Sequence, residues 1–250
     1  MRGKFLLPVA FVVLLGMTLE GQAGDEALAI IDKAVLAHGL KGKEDQTPGY
    51  LGKNKGTLHV AGMDLEFTQD ILVQAPNKFK EVMELSVMGN KITVTTVFDG
   101  KQGWIKAGDN EIKVENEILN EFKEIAYAIN LAQSLFLKDK SIKLGLLGEA
   151  QVKGKPALGI RVSKQGQKEI SFYFDKATGL MAKMERRAKD VTTGQEVTEE
   201  RIILEYQDVG GRKVAKKAEV LRDGNAFVEA EVLEARFVDK LGDNEFAKPE

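Results

Sequence analysis

His38 and His59 are the only histidines of a 250-residue chain that has no cysteine. Histidine is the usual general base and metal ligand near neutral pH, and cysteine the usual thiolate nucleophile. The two histidines fall in different predicted elements, and neither has a partner at H-x-x-x-H or H-x-x-E spacing. His38 stands where a helix is expected to end, a place that suits a cation facing the helix dipole. Carboxylates recur two residues apart, as at Asp64 with Glu66 and Glu229 with Glu231. Such pairs share one face of a strand and can do acid–base chemistry when burial raises one pKa. Their alternation with apolar residues marks a solvated face instead. Ser86, Ser134, Ser141, Ser163 and Ser171 lack the G-x-S-x-G elbow of a serine hydrolase. Gly145, Gly148 and Gly154 read as strand bends and turns, not a phosphate loop. No catalytic residue, metal ligand or cofactor is therefore expected. Arg186, Arg187 and Lys189, with Arg201 beyond them, form a small basic cluster that could meet anionic head groups. Glu185, Asp190, Glu196, Glu199 and Glu200 are interspersed, so the segment reads as a solvated hairpin.

The elements that must position these groups follow from periodicity. Leu28, Ile31, Ala34 and Val35 recur at helical spacing, with Asp25 as expected N-cap and Gly39 as the stop. Residues 40 to 50 read as a loop. The period then becomes two: Met63, Leu65, Phe67, Ile71 and Val73 form one dry face. Phe79, Met83, Leu85 and Val87 form the next, with Glu81 as its exception, and Ile92, Val94 and Phe98 a third. Met88-Gly89-Asn90 and Asp99-Gly100 are turn signals, and connections this short favour antiparallel neighbours. The strand pattern breaks near Glu115. Residues 116 to 137 predict one or two helices, apolar over more than one face toward their end and therefore buried. Strands resume near Ile142 and continue to Val238. Lys213 to Glu219 is strand-like but charged, which suits an edge or a solvent face.

These elements predict one α+β domain. About eleven antiparallel strands form a strongly curved sheet, an incomplete barrel, wrapped over an N-terminal helix and a central helical insertion. Such a wrap can leave an apolar cavity between sheet and helices. Its candidate lining is Phe67, Phe79, Met83, Leu85, Phe98, Trp104, Phe122, Ile125, Ile129 and Phe136. Trp104 reads first as a core residue packing the sheet against the helices, and second as a cavity-wall or lid contact.

The N-terminus supplies the compartment. Arg2 and Lys4 precede an uncharged run from Phe5 to Met17, and Gly21-Gln22-Ala23 offers small residues for cleavage. This reads as a secretory signal peptide over residues 1–23, followed by a single domain over 24–250. The run is too short for a bilayer core about 30 Å thick, which takes roughly 20 residues. Without cysteine the exported chain has no disulfide and no site for a lipoprotein anchor, so a soluble periplasmic protein is expected. A net charge of −2 gives no basic field for nucleic acid.

Pro76-Asn77-Lys78-Phe79 opens one strand, and Asp99-Gly100-Lys101-Gln102-Gly103-Trp104-Ile105 follows about twenty residues later. With the Asp175–Leu180 turn and the Phe246-Ala247-Lys248-Pro249 ending, these segments resemble the LolA/LolB-type lipoprotein-localisation superfamily. The resemblance implies a non-enzymatic periplasmic carrier whose partner is an acyl chain or lipoprotein. It also allows an envelope sensor or protein-interaction module with a filled core, partnered by an envelope membrane protein. LolA carriers place an arginine before the proline, where it helps latch the helical lid. Here that position is Ala75.

Overall fold

The computed structural model describes residues 17–43, 46, 48–135, 139–190 and 193–250, with side chains described from residue 24 onward. The charged start and most of the apolar run of the expected leader lie outside these residues, as does Phe136.

Helix α1 (Met17–Ala37) begins upstream of Asp25, its expected cap. Gly21 and Gly24 weaken a helix without stopping it, so helical backbone runs back through them. The C-terminal end is closed by hydrogen bonds from Gly39 N–H to the Leu36 carbonyl (3.1 Å) and from Leu40 N–H to the Val35 carbonyl (2.9 Å). This paired closure needs a left-handed residue at position 39, and Gly39 takes φ 68°. Leu40 and Val35 are both buried beside it.

Six strands follow: β1 (Gly49–Val60), β2 (Met63–Gln74), β3 (Lys78–Val87), β4 (Asn90–Phe98), β5 (Gly103–Ala107) and β6 (Asn110–Ile112). Helix α2 (Asn116–Ser134) interrupts them. Then come β7 (Lys143–Val152), β8 (Lys155–Ser163), β9 (Ile170–Asp175), β10 (Met181–Lys189), β11 (Glu196–Val209), β12 (Arg212–Arg222) and β13 (Asn225–Val238). All thirteen described strands join one antiparallel sheet, in the order β6-β5-β4-β3-β2-β1-β13-β12-β11-β10-β9-β8-β7. Two meanders are thus zipped together by their outermost partners in sequence, β1 and β13. The sheet is open, and it is two strands larger than the eleven expected. β12 is an interior strand, so the charges of Lys213 to Glu219 mark a wet face and not an edge.

Five hairpins turn on two residues that both have positive φ: 61–62, 88–89, 153–154, 210–211 and 223–224. That is the turn whose twist matches the strands it joins, and each has glycine second. Register shifts interrupt the ladders at Lys53/Asn54, Leu146/Gly148, Met181/Lys183 and Ile203/Glu205. Each extra residue bends its strand and adds twist, which is how so wide a sheet curls.

Register assigns the two faces. Val73, Phe79 and Phe98 lie opposite one another across β2, β3 and β4 and pack on Phe122 and Ala126 of α2; theirs is the inner face. Further round the inner face, Ile160, Val162, Ile170, Phe172 and Met184 pack against Ile31, Ala34 and Val35 of α1 and Leu131 of α2. Val97 pairs with Trp104 on the reverse, outer face, where Leu241 and Phe246 of the C-terminal tail cover them.

Candidate ligand-binding face

Helix α2 carries three stripes. Ile118, Phe122, Ile125, Ala126 and Ile129 lie on the first wing of the sheet, β1 to β6. Ala128, Leu131 and Leu135 face α1 and the second wing, β7 to β13. Glu117, Glu121 and Glu124 make a polar stripe at helical spacing. Glu117 pairs with Lys189 at 2.6 Å and Glu121 with Arg186 at 2.7 Å, and Glu121 also accepts from the Lys189 backbone N–H at 2.9 Å. Lys168 N–H donates to Glu124 at 3.4 Å. The basic cluster is therefore divided. Arg187 is exposed, as expected of a hairpin, but Arg186 is buried beneath the helix, a correction to the solvated reading. Glu199 takes Arg186 at 2.9 Å and Arg222 at 3.2 Å, and Asp190 takes Arg222 at 2.7 Å. Burial opposes the Arg186 charge, yet Glu199 and Glu121 hold its pKa above the ordinary value. Burial likewise opposes the Glu199 charge, and Arg186 and Arg222 overcome it and hold that carboxyl low.

The ten candidate lining residues separate into four groups. Phe79, Phe98 and Phe122 form a closed aromatic knot, with ring centroids 5.6–6.1 Å apart and every ring at most 3% exposed. Ile125 and Ile129 seal its margin. Trp104 is on the outer face, under the tail, because it pairs with Val97 and not with Phe98; the reading that packs it between sheet and helices is corrected accordingly. Phe67, Met83 and Leu85 lie farther along the inner face, beyond the knot, with Met83 and Leu85 half-buried. Phe136 lies outside the described residues.

That farther stretch is continuous. One row of the ladder runs Ile203, Ala218, Ala230, Gly56, Phe67, Leu85, Ile92 without a polar side chain. The neighbouring row holds Met184, Val220, Val228, Leu58 and Leu65. Apart from the buried Phe67, Met184 and the exposed Ile92, these residues are half-buried. Toward α2 the lining turns polar: Asn54 donates to Gln69 at 2.8 Å, and Glu81 stands opposite Ile71 and Thr96. Burial raises the Glu81 pKa, Arg201 opposes that and Glu199 adds to it.

The outer face bears a groove of about 750 Å³ between β1–β4 and β11–β13. Its walls are charged and mostly self-paired, with Lys91 on Glu84 at 2.6 Å and Lys55 on Glu231 at 3.6 Å. The acidic pairs Asp64/Glu66 and Glu229/Glu231 are exposed or rim-lying on this wet face. His59 pairs there with Asp64 at 2.7 Å. His38 closes α1 but not as a cation. Its Nδ1 meets the Ala34 carbonyl at 2.8 Å, Met181 N–H points to Nε2 at 3.4 Å, and burial pushes its pKa below 6.5. Among the described residues no group of three His, Asp or Glu side chains could hold a metal ion.

No protein-family model matches the chain, and no curated protein matches it by sequence. Solved structures do match. A LolA superfamily protein from Nitrosomonas europaea aligns with a TM-score of 0.52 at 10% identity, covering 89% of this chain and 97% of its own. A DUF1329 family protein from Desulfovibrio piger aligns with a TM-score of 0.52 at 12% identity over 88% and 97% of the two chains. A Vibrio parahaemolyticus domain, described as of the outer membrane lipoprotein-sorting kind, aligns with a TM-score of 0.51 at 12% identity over 89% and 97%. The chain therefore has a LolA-like fold. No described helix is long and apolar enough to cross a membrane.

Proposed function

We propose that this protein is a non-enzymatic periplasmic binding protein that takes an acyl chain, free or attached to a lipoprotein, along the open part of its inner face. One observation carries the reading: the unbroken apolar row from Ile203 to Ile92, most of it half-buried and not closed off from water. An apolar strip of that length leaves water on a surface that a hydrocarbon chain would dry. Burying a methylene stabilises the complex by about 0.8 kcal/mol, so affinity should climb up to about fourfold per added carbon. The leader-like N-terminus and the LolA-like fold support placement in the envelope.

Calorimetric titration of the delipidated protein with fatty acids of eight to eighteen carbons tests this. Rising affinity with length is the expected result; absence of binding at every length removes the carrier reading. A second reading draws on the aromatic knot. Phe79, Phe98 and Phe122 leave the interior under α2 filled, which suits a module that presents its open face to an envelope protein. Mass spectrometry of the natively purified protein separates the two, because co-purifying lipid favours the carrier and a co-purifying protein without lipid favours the module.

A further inference from the structure

One charge interrupts the second apolar row. Register places Arg201 between Met184 and Val220, in line with Val228, Leu58 and Leu65. Ile203 is its inner-face neighbour on one side along the strand and Glu199 on the other. Glu199 is already committed to Arg186 and Arg222, at 2.9 and 3.2 Å. Arg201 is exposed, and among the described residues it makes no hydrogen bond or ion pair. Its charge nevertheless acts on Glu81 and Tyr50 of the opposite wing. The guanidinium therefore projects over the hollow of the curved sheet and not away from it. An arginine placed only for solubility has no reason to stand in an apolar row of a concave face, where both neighbours across the ladder, Met184 and Val220, are apolar.

We propose that Arg201 holds the head group of the inner-face ligand, and that this ligand is a single-chain amphiphile ending in one negative charge, an acyl carboxylate. The assignment rests on the reading of the inner face as an apolar-chain site. A guanidinium fork matches a carboxylate with two parallel hydrogen bonds. Glu81 and Glu199 stand close enough to feel the Arg201 charge, so they limit how much negative charge the site accepts. A monoanion is balanced there; a phosphate monoester bearing nearly two charges is repelled. The rows that flank Arg201 give the tail its track, so head and tail are recognised on one continuous surface.

Calorimetry with laurate, dodecanol and dodecyl phosphate, which share a chain length, reads the head group alone. The expected result is that laurate binds at least about tenfold tighter than dodecanol, as a charge-assisted pair warrants, and tighter than dodecyl phosphate. Arg201→Gln should bring laurate down to the level of dodecanol and leave dodecanol unchanged, while Arg201→Lys keeps part of the preference. Because the side chain is exposed, both variants should keep the wild-type circular dichroism spectrum. Equal binding of laurate and dodecanol by the wild type overturns the head-group assignment and leaves the apolar-chain reading standing. Equal loss of both ligands in Arg201→Gln also overturns it. If neither ligand binds the wild type, the inner-face reading fails and the assignment falls with it. Preference for dodecyl phosphate over laurate overturns the carboxylate in favour of a phosphate head.

Discussion

Glu121 and Arg186 are 4% and 6% exposed at the side chain, and each is left nearly dry by the helix above them. Removing two ions from water is expensive, and their attraction repays it only when the remaining lone pairs and N–H groups are also used. Here they are: the second Glu121 oxygen takes the Lys189 N–H, and the rest of the Arg186 fork takes Glu199. Removing one partner should therefore cost far more than removing both. Arg186→Met, which leaves the buried Glu121 carboxylate without its cation and takes one of two arginines from Glu199, should lose about 3–5 kcal/mol in urea unfolding. The double variant Glu121→Gln/Arg186→Met should lose clearly less, and equal losses would show that the pair is incidental. The sequence hid this contact for a physical reason. Arg186 sits among acidic neighbours that resemble a solvated hairpin, and the carboxylate that buries it is 65 residues away. The one local trace is the spacing of Glu117, Glu121 and Glu124, a polar stripe on a helix that is otherwise apolar over two faces. Those contacts tie α2 down from the second wing.

The C-terminal tail acts as an element although it has little regular structure. Leu241 N–H donates to Gln74 at 2.7 Å, Asp243 pairs with Lys78 at 2.7 Å, and Phe246 drops to 1% exposure against the strip that includes Val97 and Trp104. Without the tail, the first wing would show water apolar side chains on both faces. Phe246→Ala should thus cost about 3–5 kcal/mol, the usual range for emptying a buried phenylalanine site. It should also shift the emission of Trp104, the only tryptophan, to longer wavelength; an unchanged spectrum would place the anchor elsewhere. At this scale most of the fold is legible. Turn signals such as Met88-Gly89, alternation in the dry faces and the break at Glu115 locate most hairpins and α2, because each depends on neighbours in sequence, whereas β1 and its turn at Ala61-Gly62 do not stand out from the sequence. The pairing of β1 with β13 joins Gly49 to Val238, and no local pattern encodes so distant a ladder. The face of Trp104 was lost for a related reason: one step of register moves a side chain through the sheet. Phe79 and Phe98 were readable as apolar inner residues, but whether they line space or fill it depends on Phe122, set by how α2 docks.

Acid should reveal how the two wings and α1 depend on one another, because buried titratable groups occur at several of their junctions. His38 joins the end of α1 to β10, and Tyr206 of β11 completes the corner by donating to the Met181 carbonyl at 2.7 Å. Burial keeps the folded-state pKa of His38 below 6.5, with the Ala34 hydrogen bond opposing in part. Above pH 6.5 the imidazole is neutral folded or unfolded and adds no pH dependence. As pH falls below 6.5 the unfolded chain gains a proton that the folded chain refuses, so stability drops until the lower folded value is passed. Glu199 follows in a more acidic window. Its folded pKa lies below 4.5, so its contribution is full above 4.5 and is lost as pH falls through the folded value. Glu81 runs the other way. Raised above 4.5 by burial, it takes stability away as pH climbs from 4.5 through its folded pKa. Urea unfolding from pH 8 to pH 4 should then show a first decline beginning near 6.5, and His38→Gln should flatten that decline while leaving the later one in place. Glu81→Gln should raise stability at pH 8 and change little at pH 4. A first decline that survives His38→Gln unaltered would move the acid sensitivity away from the α1–β10 corner.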